Sequence, residues 1–514
     1  MKGNDRRSGG FAKKHRTTKH TDKPNDPRQL TFWAALFPVH AEKDCRKAAG
    51  YRNDTSLNNV GSNGNYWSSS LNTSNSNNAR ELNFNSSNHN TDNNNNRYNG
   101  QSVRPVTAIT RTRLLADLYL AYLDARRHKR GQRYQLDFEM NLEESLCRLA
   151  DELIKRTYVP GRSSVFVVRE PKQREVFAAD FRDRVVHHLY YRYTHKLFES
   201  TFIYDTYSCI KGRGTHFGIK RLQQHIRQES RNYTCPCYIL KMDIEGYFIN
   251  IKRQRLLSIC KNTLEGMSRH RLLGSGNTWE ETIDYDLVEW LTEVFTLQDP
   301  ISDFTFAMPM SEWEGLPRSK SLFYAKSGCG LPIGNLTSQL FSNIYLNQLD
   351  QYMKRRLHCR HYGRYVDDFY VVSCNRDWLE GLVPQVNDFL NRELELNLHN
   401  KKVEIRSVND GVEFLGQYVL PYRCYTSKRS FSRIERGMGE ISTHDWYDDT
   451  RLLSQINSYL GVLGHTRSHR KWLRLLQFHP WVFRFGVFNE GMHKFLLFDN
   501  KLKATPRYSS KQWQ

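Results

Sequence analysis

The sequence predicts an α+β protein, because short β-branched runs and long helical patterns are mixed along it without a regular βαβ repeat. Two further observations shape that expectation. Composition changes sharply near residue 107, and two separate strand-like runs each end in an aspartate, at Asp243 and at Asp367-Asp368.

Taken in order, residues 1–50 are polar and basic with no sustained periodicity. Between 51 and 100, eighteen of fifty residues are Asn, with Ser and Gly filling much of the rest. Such a stretch buries too little apolar surface to offset chain entropy, so the region 1–107 is expected to be disordered when alone. From Thr107 onward the chain reads as globular. Leu114 to Leu123 and Phe138 to Leu153 have helical apolar spacing, and Ser164-Val-Phe-Val-Val168 reads as a strand. A helix is expected from Phe181 to about Phe198, and a buried strand over Tyr238-Ile-Leu-Lys-Met-Asp243. The stretch 262–327 looks irregular and is read as an insertion on the core. Apolar residues at 336, 340, 344, 349, 353 and 357 form the stripe of one long helix, and 450–475 holds another rich in Arg and His.

The 514 residues carry 76 Lys plus Arg against 54 Asp plus Glu, a net charge of +22. A positive excess spread over the whole chain suits a polyanionic partner, because cations placed on phosphates release counterions. A solvated basic surface would show the same balance. The ten cysteines have no C-x-x-C spacing, and Cys235-Pro236-Cys237 lacks the second half of a zinc site. No apolar run approaches the ~18 residues of a membrane span, and no apolar signal core follows Met1. The chain therefore reads as a cytoplasmic protein without a membrane partner.

The chemistry concentrates in Arg364-Tyr365-Val366-Asp367-Asp368-Phe369-Tyr370-Val371-Val372. A strand–turn–strand hairpin would lift two adjacent acids onto one tip while apolar flanks anchor it. An isolated Asp-Asp turn is usually only a turn. The second buried strand changes the reading, since Asp243 beside Asp367 makes a site too negative to exist without cations. Two Mg²⁺ ions on oxygen ligands would satisfy it and supply nucleotidyl transfer with an activated hydroxyl and charge stabilisation at phosphorus. Asp243 and Asp367 are the expected bridging ligands, with Asp368 the weaker third.

These motifs resemble a reverse transcriptase palm, and one branch in particular, the reverse transcriptases of diversity-generating retroelements. The resemblance rests on the Asp243 strand, Tyr365-Val-Asp-Asp368 and Gly330-Leu-Pro-Ile-Gly-Asn-Leu-Thr-Ser-Gln339 with its continuation to Leu346. It extends through Arg169-Glu-Pro-Lys-Gln-Arg174, Arg182 to His188, Lys211-Gly-Arg-Gly-Thr-His216, Leu396 to Lys402, Phe414-Leu-Gly416 and Ile456 to Gly461, covering about 110 to 475. It implies a right-hand polymerase: fingers and palm over 108–425, and a helical thumb over 426–514. It also implies template RNA and primer as partners, dNTPs as substrates, and a small basic accessory protein.

Site roles follow from the same resemblance. Asp243, Asp367 and Asp368 would be catalytic, and Ile244 would join them around the metals. Lys172, Arg174, Phe248, Ile333 and Lys402 would bind the dNTP, with Phe248 excluding a ribose 2′-hydroxyl and Lys401 the rival to Lys402. Core packing is the alternative for Phe248, and solvated charge for Lys172 and Arg174. Arg182, Arg213, Asn335, Gln339, Arg467 and Arg470 would contact nucleic acid. Arg433, Arg436, Lys471 and Arg474 could grip its backbone or simply form a solvated face. His187 and His188 read as helix residues packed in the fingers. Ile333 departs from the Gln common in this loop, which predicts weaker discrimination at template adenine.

Asn65-Tyr66-Trp67, Ala79 to Phe84 and Arg97 to Val106 resemble the end of the lectin-like proteins that such retroelements diversify. Asn codons begin with two adenines, so adenine-directed errors there reach many residues and no stop. Residues ~60–106 are therefore read as the template repeat translated in frame, with a tethering tail as the other possibility. Other readings of the whole chain are an intron- or defence-type reverse transcriptase, a silent RNA-binding relative, and, from 60–106 alone, a lectin-like binder.

Overall fold

The computed structural model describes residues 110–498 except 128–130, 170–171, 268–282 and 444–448, together with the strands within 51–101. The expectations for residues 1–50 lie outside the described residues. The chain divides into two units between Arg104 and Leu115. In the first, strands Asn63–Leu71, Asn78–Asn85 and His89–Asn96 form an antiparallel sheet. A second sheet joins Ser56–Asn58, Tyr51–Asn53 and Gly100–Gln101. This is more regular structure than the Asn content predicts. The register offers a reason, placing Tyr66 opposite Leu82 and Trp67 opposite Glu81, so aromatic β-formers punctuate the polar run.

The division falls within helix α1 (Arg111–Ala125), and the second unit continues with α2 (Arg133–Met140) and α3 (Leu142–Ile154). The single helix expected across 138–153 is broken at Asn141, whose ψ of 44° leaves the helical region. Strands β1 (Ser163–Val168) and β2 (Arg174–Ala178) follow, then α4 (Phe181–Thr201), capped by the Asp180 carboxylate accepting from Arg182 N, and α5 (Thr215–Glu229). Next come β3 (Tyr238–Asp243), the single turn α6 (Tyr247–Asn250), α7 (Arg253–Met267), α8 (Tyr285–Leu297) and β4 (Phe304–Phe306). The stretch 262–327 is thus less irregular than expected. Buried Leu287, Val288 and Leu291 fix α8 in the core, and β4 runs parallel to β1 in a β4-β1-β2 sheet.

The long helix α9 (Leu336–Arg355) precedes β5 (Tyr362–Tyr365), β6 (Asp368–Ser373), α10 (Arg376–Leu394) and β7 (Glu404–Ser407). Strands β5, β6, β3 and β7 form, in that order, an antiparallel four-stranded sheet. Its period-two alternation buries both faces. Ile239, Tyr370 and Val372 pack with Ile219, Leu222 and Ile226 of α5, while Leu240, Met242, Phe369 and Val371, on the alternate face, are equally buried.

A small sheet, β8 (Val412–Phe414), β9 (Gln417–Leu420) and β10 (Arg423–Thr426), leads into α11 (Lys428–Thr443), α12 (Asp449–Leu463) and α13 (His469–Phe478). The described residues end with the hairpin β11 (Gly486–Phe488) and β12 (Phe495–Leu497). The helix expected over 450–475 is therefore two, separated at Gly464. Phe431, Ile434, Met438, Ile456, Leu460 and Trp472 knit this helical end into its own core.

Candidate active site

The local sequence dictates where the acids meet. Tyr365 pairs with Asp368, so Val366 and Asp367 form a two-residue turn between β5 and β6. On its other side Asp368 pairs directly with Asp243 of β3. Antiparallel register thus puts one carboxylate at the hairpin tip and two on adjacent strands beside it. Asp243, Asp367 and Asp368, predicted from separate stretches, are brought together.

Their electrostatics follow from that crowding. Burial, then the neighbouring Asp243 charge, raises the Asp367 carboxyl to about 6, against smaller opposing effects of Lys402 and Arg174. Burial raises Asp368 to about 7; Lys241 opposes this, and Asp243 and Asp367 reinforce it. Lys402 Nζ donates to Asp243 Oδ2 at 2.9 Å, and Lys241 Nζ stands 3.6 Å from Asp368 Oδ2. Asp243 Oδ1 and Asp368 Oδ1 are buried without any hydrogen-bond partner.

Those two orphaned oxygens test whether the site suits divalent ions, and it does. An unpartnered buried carboxylate oxygen is costly unless a cation meets it. Among the described residues no group of three or more His, Cys, Asp or Glu side chains is drawn together around a metal position. Mg²⁺ ordinarily takes only one or two carboxylates and completes its shell with water and substrate phosphate. Asp243, Asp367 and Asp368 would hold it. Ile244 is buried and its backbone bridges Leu398, and His399 N donates to Asp243 O at 2.8 Å, so the end of β3 is fixed.

Beside Lys402 and Lys241, Arg174 acts on Asp367 and Lys172 feels the Asp243 charge. Lys172 and Arg174 are exposed, two apart at the start of β2, while Glu175 points inward and accepts from Trp313 Nε1, Ser321 Oγ and Leu322 N. Although the Lys172 side chain reaches solvent, its ammonium is pushed down by partial burial first, then by Arg429, Lys402 and Arg174, with Asp243 opposing. Arg429, at the start of α11, was not found in the sequence, because no motif spacing ties it to the acids. Phe248 lies half-buried five residues after Asp243, its carbonyl accepting from Leu331 N.

The Ile333 loop is tied to β2 and the residue after it. Phe177 N donates to Ile333 O at 2.9 Å, and Ala179 N donates to Asn335 Oδ1 at 3.2 Å. Gly334 sits at φ +130°, where a Cβ would meet Phe177 O at 2.8 Å, so only glycine allows this approach. Gln339 is exposed on α9.

Several expected nucleic-acid contacts are engaged inside the protein. Arg182 pairs with Glu152, donates to Val159 O and covers the Tyr158 ring. Arg213 donates to Thr206 O and Ile203 O, and the Asn335 side chain is the brace just described. Arg467, Arg470 and Arg474 are exposed, Arg433 is half-buried, Arg436 pairs with Glu440, and Lys471 lies over the Phe431 ring. His187 is buried edge-on to Phe295, which pushes its imidazole down to about 3 through burial.

Sequence reasoning also missed what lies behind the turn. Arg364, fully buried, forms a two-pronged ion pair with Asp350 of α9 at 2.8 and 2.6 Å. Its Nη1 donates to Val366 O at 2.9 Å. Val366 has a φ of +56°, a conformation that costs a β-branched residue about 1–3 kcal/mol. The signal available was an Arg inside an apolar hairpin and an acid next to the apolar stripe of α9.

Residues 171–419 match the family described as reverse transcriptase (RNA-dependent DNA polymerase). They are a reverse transcriptase domain. All three acids fall within this domain, whereas the helical end lies wholly beyond it. The chain is 24% identical over 324 residues to Protein YkfC of Escherichia coli (strain K12), across 55% of this chain and 74% of that protein. Among solved structures it is similar to apo telomerase from Candida tropicalis, with a TM-score of 0.38 and 11% identity, covering 59% of this chain. It is also similar to telomerase from Candida albicans in complex with a fragment of telomeric RNA, at 0.36 and 11%, covering 68% of this chain. The chain spans 53% and 61% of those two telomerases. Among the described residues no helix is long and apolar enough to cross a membrane.

Proposed function

We propose that this chain copies an RNA template into DNA, and that it serves the diversification of a variable gene by a diversity-generating retroelement. The observation that supports polymerisation best is the pair of orphaned oxygens, Asp243 Oδ1 and Asp368 Oδ1, on adjoining strands beside Asp367. Divalent ions bound there would supply Lewis acidity at the reacting phosphate. The protein's own residues do the rest. Lys172, Arg174, Lys402 and Arg429 draw the triphosphate toward the acids as cations suited to phosphate oxygens. Phe248 limits the space beside the sugar, and the helical end with exposed Arg467, Arg470 and Arg474 holds the template–primer backbone. A small basic accessory protein is the expected partner.

The retroelement reading rests on the Ile333 loop and on the Asn-rich segment before residue 107. An aliphatic side chain at 333 cannot offer the amide hydrogen bonds that penalise a mismatched pair. Primer extension on a defined RNA template, with the products sequenced, tests both parts. The expected outcome is DNA synthesis with errors concentrated opposite adenine, and fewer of them in Ile333→Gln. An unchanged error spectrum in that variant would remove the fidelity argument while leaving the polymerase assignment standing.

A further inference from the structure

The backbone of Val366 is held by side chains rather than by a neighbouring strand. Its N–H donates to Ser208 Oγ at 3.1 Å, and its carbonyl accepts from Arg364 Nη1 at 2.9 Å. Ser208 Oγ in turn donates to Asn343 Oδ1 at 3.1 Å, Arg364 Nη1 donates to the same oxygen at 3.3 Å, and Asn343 Nδ2 donates back to Ser208 O at 2.8 Å. Asp350 fixes the guanidinium and also accepts from the Tyr362 and Thr206 hydroxyls. Backbone bonds clip the segment to the hairpin as well, since Tyr207 N donates to Arg364 O and Arg364 N to Asp205 O, each at 2.9 Å. Ser208, Asn343, Asp350 and Arg364 are all buried.

We infer that Ser208, Asn343, Arg364 and Asp350 form a clamp that holds the turn at Val366 in its left-handed conformation and thereby aims Asp367 at the metal position. This rests on the polymerase reading, and makes these four positioning residues, none of which touches substrate. Valine strongly disfavours a positive φ, so the turn left to itself would relax toward extended backbone and swing the adjacent Asp367. Holding both polar groups of the strained peptide removes that freedom, because releasing either would leave a buried polar group unsatisfied. The fork geometry of Arg364 matters as well as its charge, since one cation must serve a carboxylate and two other oxygens together.

The test uses Ser208→Ala, which removes the hydrogen bonds to Val366 N and Asn343 Oδ1 and no charge, and Val366→Gly, which makes a positive φ free of strain. The full chain is assayed for dNTP incorporation on an RNA template, for template–primer affinity, and for Mn²⁺ binding by paramagnetic resonance. Ser208→Ala is expected to slow incorporation and to weaken Mn²⁺ binding, each about tenfold, the scale set by losing the hydroxyl's hold on Val366 N. Template–primer affinity should be unchanged. Adding Val366→Gly to Ser208→Ala should restore both losses to within about threefold, because glycine no longer needs the clamp. A double variant as impaired as Ser208→Ala, or a Ser208→Ala protein equal to the parent in Mn²⁺ binding, would overturn the clamp. Failure of the polymerase reading is separate, since it shows as a parent protein that incorporates nothing whatever the state of its turn.

Discussion

At the scale of single residues, the acids carry opposing demands of folding and chemistry. Asp367 and Asp368 bind protons more tightly in the folded chain, near 6 and 7, than in the unfolded chain, where carboxyls titrate at about 4. Their contribution to stability is therefore fully present below about pH 4 and is lost as pH rises through those folded values. Thermal melts in a chelator should show Tm falling between about pH 4 and pH 7, and Mg²⁺, which binds the ionised form, should reverse the fall. Asp368→Asn should flatten the chelator profile; a profile identical to that of the parent would contradict the assignment. The three acids were legible in the sequence because each ends or follows an apolar β-run, and a carboxylate in that place has few structural uses. Arg364 was not, because its partner Asp350 lies on a helix whose rotation a linear pattern leaves open. Arg429 and Lys241 were missed for a like reason: a cation's closeness to a charge is a property of the fold.

At the scale of elements, the hairpin β5–β6 is carried by buried polar groups as much as by apolar ones. The Arg364–Asp350 pair has no exposed side-chain surface, so removing one partner strands a charge in the core. Asp350→Ala is expected to destabilise the protein by about 3–5 kcal/mol, seen as a lower urea midpoint, and Arg364→Ala by a similar amount. Loss of both should cost less than the sum; an additive result would show that the pair is not coupled. The elements with strong periodicity, α4, α9 and β3, stand where the sequence puts them. Boundaries fared worse where the pattern ran through a break, at Asn141 between α2 and α3 and at Gly464 between α12 and α13. The stretch 262–327 misled because β4 earns its place by pairing with distant β1, and short non-local strands leave little trace in composition.

At the scale of the molecule, a net charge of +22 finds a use if the helical end grips nucleic acid. Each phosphate contact adds about 0.9 to the slope of log affinity against log salt. Arg470→Gln with Arg474→Gln should therefore lower that slope by about two while weakening binding evenly across sequences; an unchanged slope would return both residues to a solvated face. Everything in the account depends on three carboxylates acting together on a polymerisation reaction. The most direct test is single-turnover dNTP incorporation on an RNA template with Mg²⁺, comparing the parent with Asp243→Asn and Asp367→Asn while template–primer binding is measured in parallel. The account predicts that the parent extends the primer and that each variant binds normally but is slower by about a thousandfold, several kcal/mol of lost stabilisation. A parent that binds template–primer yet adds no nucleotide, or variants that extend at the parental rate, would contradict it.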